Sequence, residues 1–120
     1  MKVPGTDHPI TVTANPHRIR VRVGDRQIAD TTAALTLQES TYPAVQYVPL
    51  ADVDPASLRP SDTSTHCPYK GDASYYDLVD GDVTIPDAVW SYRQPYPAVA
   101  PIAGHVAFYP QHVALDSEEN

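Results

Sequence analysis

Residues 18–25 read Arg-Ile-Arg-Val-Arg-Val-Gly-Asp. The strict alternation places Ile19, Val21 and Val23 on one face of a strand and three arginines on the other, because successive side chains of an extended backbone point to opposite sides. Gly24-Asp25 supplies a turn, and Gln27–Asp30 returns as a second short strand. Outward from this hairpin the same signal recurs. Ala34–Glu39 turns Leu35 and Leu37 inward, and Ala44–Val48 follows. Ala73–Val79 leads through a turn at Asp80-Gly81-Asp82 into Val83–Ile85, then come Ala88–Tyr92 and His105–Tyr109, the last with Val106 and Phe108 facing one way.

Helices have little room. Thirteen prolines are spread along the 120 residues, and each removes an amide donor and clashes with the preceding helical turn. The run Leu-Ala-Asp-Val-Asp-Pro-Ala-Ser-Leu (50–58) has the look of a short helical turn, with Asp52 or Asp54 placed to accept from free amides at its start. Residues beyond Pro60 are expected as a loop, and Pro95–Gly104 as an irregular or briefly helical crossing. The expectation is an all-β fold, a compact sandwich or partly closed barrel of about eight short strands with one or two short helical turns. Residues 17–113 form a single domain on this reading, residues 1–16 an N-terminal extension and residues 114–120 a frayed acidic tail.

Composition narrows the function classes. A chain of this length buries roughly two-thirds of its unfolded surface, enough for a core without staples. The one cysteine forms no internal disulfide, and no apolar run approaches the roughly 20 residues of a membrane helix. The N-terminus lacks the apolar core of a secretory signal, so the expectation is a soluble, cytoplasmic protein. A formal charge of -7 argues against nucleic acid, whose phosphates call for a dense basic surface. The basic groups concentrate in residues 1–26 (Lys2, Arg18, Arg20, Arg22 and Arg26). The ladder Arg18/Arg20/Arg22 suits phosphate or carboxylate groups, but its commoner use is a solvated face that discourages edge-to-edge pairing.

Residues 65–72, Thr-His-Cys-Pro-Tyr-Lys-Gly-Asp, crowd the only cysteine, one of two lysines and a histidine between turn-forming residues. Further along stand Ala-Ser-Tyr (73–75), Trp-Ser-Tyr (90–92) and Ala-Phe-Tyr-Pro (107–110). Taken in order, these motifs resemble the domain-of-unknown-function family 427, sometimes labelled nucleotidyltransferase-like, over about residues 17–113. The resemblance implies a compact β structure similar to methionine-R-sulfoxide reductase-like folds and brings no established reaction. Glu39, Tyr47, Cys67, Lys70, Gly71, Tyr75, Trp90 and Tyr92 sit at positions matching the family pattern, while Tyr76 stands where relatives often carry tryptophan.

The chemistry of these side chains gives four candidates for catalysis. Cys67 is a potential nucleophile if nearby positive charge lowers its pKa from about 8.5, although a lone cysteine is more often a small buried apolar residue. Lys70, held between Pro68 and Gly71, is suited to meet an anionic or carbonyl group. His66 is a potential proton relay. Glu39, if it points inward, must pair with a cation such as Lys70 or an arginine, since an unpaired buried carboxylate is expensive. Tyr47, Tyr75, Trp90 and Tyr92 are the candidate ligand-binding walls, with core packing as their plainer use. The pairs Asp52/Asp54 and Asp80/Asp82 invite a magnesium reading, but one fits a helix start and the other a hairpin turn, so neither metal nor cofactor is expected.

The leading expectation is therefore a pocket for a small polar metabolite, built around the Cys67–Gly71 bend, with Lys70 aimed into it and the sulfur tucked behind. The alternatives are a non-catalytic binding or homo-oligomeric assembly module, and a metal-dependent nucleotidyltransferase.

Overall fold

The computed structural model describes residues 1–118. Ten strands carry the chain: β1 (Ile10–Ala14), β2 (Arg18–Val23), β3 (Arg26–Thr31), β4 (Leu35–Glu39), β5 (Val45–Pro49), β6 (Leu58–Cys67), β7 (Gly71–Asp80), β8 (Val83–Ser91), β9 (His105–Phe108) and β10 (Ala114–Glu118). Only 3-10 turns interrupt them, at Leu50–Asp52, Pro55–Ser57 and Pro97–Ile102. A seven-stranded sheet runs β1-β4-β5-β9-β8-β7-β6, and a three-stranded sheet runs β10-β2-β3. All pairings are antiparallel, and neither sheet closes into a barrel. No helix among the described residues is long and apolar enough to cross a membrane.

Two cores lie on opposite faces of the long sheet. Ile19, Val21, Val23 and Ile28 of the small sheet pack against Val48, Leu78, Val89, Val106 and Phe108. On the other face Leu37, Tyr47, Ala73, Tyr92 and Ala107 gather with Val99 and Ile102 of the last 3-10 turn. Strand alternation divides the residues between the cores: Val48 faces one and Tyr47 the other, and Val106 and Ala107 divide the same way. A strand buried on both faces is apolar on both, which explains the adjacent apolar residues Tyr47-Val48 in β5 and Val106-Ala107-Phe108 in β9. The outer ends of the long sheet are tied together by loops. The Lys2 amide, ahead of β1 at one edge, donates to the Pro68 carbonyl in the β6–β7 turn at the other (2.7 Å).

Two differences from the sequence reading have local causes. Residues 58–67, expected as turn and loop, form β6. Its position at the sheet edge tolerates Pro60, leaves most of its side chains exposed and removes the alternating apolar signal. Val83–Ile85 and Ala88–Tyr92, expected as separate strands, join in β8 across a register shift opposite Tyr76 and Leu78. Asp87 sits there at φ 53°. Its amide donates to Asp77, and its carboxylate accepts from Ser61 and Thr63.

The acidic tail and the N-terminal extension also carry strands, because each finds an edge to complete. β1 pairs with β4, and β10 pairs with β2. Residues 119–120 of the expected tail lie outside the described residues. The arginine ladder lies on the solvent-facing side expected of it, but it does not prevent strand pairing: β10 joins β2, and each arginine carries an acidic partner. Arg18 binds Asp30 (2.8 Å), Arg20 binds Glu118 (2.6 Å) and Arg22 binds Asp116 (3.0 Å). Exposed ion pairs of this kind contribute roughly 0.2–1 kcal/mol each and weaken with salt. Raising NaCl to about 1 M should therefore speed hydrogen exchange of the β10 amides several-fold and leave the β5 amides unchanged. Equal protection of β10 at low and high salt would show that its backbone ladder alone holds it.

Candidate functional site

The β6–β7 turn builds the site. Cys67 pairs with Gly71 at the hairpin end, leaving Pro68, Tyr69 and Lys70 as the connection. Gly71 adopts φ 109°, and a Cβ there would lie 3.4 Å from the Gln94 carbonyl oxygen, so both conformation and space favour glycine. The Tyr96 amide donates to the Lys70 carbonyl (3.0 Å), fixing the lysine backbone from behind. The side chain then reaches across to the end of β4, where Lys70 Nζ donates to Glu39 Oε1 at 2.6 Å. Each side chain is only 14% exposed. Lys70 Nζ also lies 5.7 Å from the centre of the Tyr92 ring, within range of a cation–π contact.

His8 is the third member. Its Nε2 lies 2.8 Å from Glu39 Oε2, and because a carboxylate only accepts, Nε2 carries the proton. The imidazole stacks on Tyr69 with centroids 4.1 Å apart. Burial pushes the Glu39 carboxyl up, but the hydrogen bonds from Lys70 and then His8, with their charges, outweigh it and hold the group below the ordinary carboxylate range. A depressed folded-state pKa contributes stability that is present above the unfolded value and lost as pH falls through the folded one. Glu39→Gln should thus cost about 2 kcal/mol at neutral pH. That cost should shrink as pH falls from the ordinary carboxyl value, about 4.3, and vanish only below the lower folded one, where the wild-type carboxyl is protonated as well. Denaturant titrations at neutral and acidic pH measure it, and a pH-independent difference would contradict the ion pair.

Aromatic groups wall the space beside the pair. Trp90 Nε1 donates to the Tyr47 hydroxyl (3.1 Å), and the two rings meet edge to face. Trp90 also lies against Tyr109, centroids 4.5 Å apart. Burial raises the Tyr47 and Tyr92 phenols far above their usual value. Burial and then the Tyr75 hydrogen bond push Tyr109 up to about 12. The phenols stay protonated at neutral pH and act as walls and hydrogen-bonding groups rather than as bases. Glu39, Lys70, Tyr47, Trp90 and Phe108, with Tyr42, Pro43 and Leu115, line a cleft of about 450 Å³.

Four of the residues singled out from the sequence, Glu39, Lys70, Tyr47 and Trp90, therefore share one cleft. Cys67 and Tyr75 pack against the second core behind it, as does buried Tyr92. His66 does not join them. Alternation along β6 turns it away from Cys67, and its Nδ1 pairs with Asp72 (2.7 Å) on the surface, where the imidazole is 54% exposed. The histidine beside Glu39 is His8, which sequence reasoning missed. It sits in the segment set aside as an extension, and the alternating Ile10-Thr11-Val12 just after it was the available sign that this segment enters a sheet.

Asp80 and Asp82 sit at the β7–β8 turn, and the other acidic pair is engaged elsewhere. Asp52 accepts from the Thr31 hydroxyl, and Asp54 caps Ala56 and binds Arg26. Among the described residues no three His, Cys, Asp or Glu side chains converge as a ligand set for a metal ion.

A family model described as a domain of unknown function (DUF427) matches residues 11–119. No curated protein matches the chain.

Proposed function

Because the chain belongs to the DUF427 family, a domain of unknown function, we propose its role from the site itself: it binds a small polar metabolite in the cleft between Lys70, Glu39 and the Tyr47–Trp90 pair. One observation carries this reading. A lysine–glutamate pair withdrawn from water lines a concave aromatic space, and ligand sites typically combine a mostly apolar lining with a few placed polar groups in volumes of about 300–1,000 Å³. Among the described residues Lys70 Nζ has Glu39 as its one hydrogen-bond partner, so an ammonium group with three donors keeps two for a ligand. Paired with a carboxylate, the lysine acts as donor and charge rather than as an amine nucleophile. Chemistry at such a site is proton transfer between the pair and a bound carbonyl or hydroxyl group.

Native mass spectrometry of protein purified gently from cells tests the reading. A bound molecule of small mass should accompany the wild type and be absent from Lys70→Met. The assembly reading draws on exposed Tyr42 and Leu115 at the cleft rim, 58% and 41% exposed. A ligand-free dimer whose contacts include those two residues would overturn the binding proposal in favour of assembly.

A further inference from the structure

The charge arrangement at the cleft floor says which ligands fit, given the binding reading above. Lys70 and Glu39 meet at 2.6 Å and form a nearly neutral pair. An anion brought to Lys70 stands almost as close to Glu39, so attraction and repulsion largely cancel. A cation brought to Glu39 meets the same cancellation from Lys70. Either ion loses its hydration on entry to a space walled by Tyr47, Trp90, Phe108 and Val45 and regains little. An uncharged group with a donor and an acceptor on one edge gains on both sides. Its carbonyl accepts from a remaining Lys70 N–H. Its own N–H donates to a Glu39 oxygen, each of which has one bond, Oε1 from Lys70 and Oε2 from His8, and can accept another. The flat indole of Trp90, backed by the buried and perpendicular Tyr47 ring, suits a planar body behind that edge.

We infer that the cleft is selective for uncharged, planar molecules that present an amide-like donor–acceptor edge to Lys70 and Glu39 and an apolar or aromatic body to the Trp90 side.

Benzamide, benzoate and benzamidinium are close to isosteric and carry charges of zero, minus one and plus one, so they test charge selection at constant shape. Phenylalanine adds a zwitterion. Trp90 is the only tryptophan, and its indole N–H gives one resonance in a nitrogen-15 proton correlation spectrum, read during titration of the full chain at neutral pH. Benzamide should shift that resonance with a Kd at least about tenfold lower than those of the three charged probes. Glu39→Gln and Lys70→Met should each weaken benzamide several-fold. If benzoate, benzamidinium or phenylalanine binds as well as benzamide, the selectivity inference fails while the binding reading stands. If no probe moves the Trp90 resonance at tens of millimolar, both fail.

Discussion

Replacing Lys70 by methionine is expected to lower the unfolding free energy by about 3 kcal/mol, measured by urea titration at neutral pH. Methionine has nearly the reach of lysine and fills the space beside Tyr92, so packing changes little. What it removes is the partner of a carboxylate that is 14% exposed and faces an apolar cluster. Glu39 then has His8 alone. The double variant Lys70→Met with Glu39→Leu removes both charges and should regain most of the loss, because replacing both members of a poorly solvated pair is often near neutral. The double-mutant cycle gives the coupling directly. A loss under about 0.5 kcal/mol for the single variant would place the pair with ordinary exposed salt bridges. The double variant also separates structure from function: a stable protein that still fails to bind ligand shows that the charges serve the cleft and not only the clasp between β4 and the β6–β7 turn.

Gly71→Ala is expected to cost about 2–3 kcal/mol, because alanine at φ 109° is strained and its methyl group crowds the Gln94 carbonyl. The cost should extend beyond stability. Gly71 adjoins Lys70, whose carbonyl is held by the Tyr96 amide, so relief of the strain displaces the lysine from Glu39. Urea titration reads the first effect, and a shift of the Trp90 indole resonance without ligand reads the second. Pro68→Ala leaves the backbone geometry accessible and should cost under about 1 kcal/mol. Equal stabilities for the two variants would mean that the turn does not depend on glycine.

Much of the site was visible before the fold because its members carry strong local constraints. Glycine after Lys70 marked a sharp bend, and a glutamate ending an apolar strand had to find a cation. The structure supplies that cation at 2.6 Å. His66 shows the limit of such reasoning. Adjacent to Cys67 in sequence, it lies on the other face of the sheet, because one step along a strand reverses the side chain. His8 shows the converse: 31 positions separate it from Glu39, and no local pattern announces a contact made by pairing β1 with β4.

By itself the sequence determined the kind of backbone. Alternation in residues 18–23 makes a strand, and prolines throughout leave only 3-10 turns for helix, because backbone sterics and side-chain period act within a few residues. Tertiary structure decided which strands meet. The edge position of β6, the seating of β10 on the arginine ladder and the union of His8, Glu39 and Lys70 depend on burial and hydrogen bonding between distant segments. Those terms take their value only once a partner surface exists.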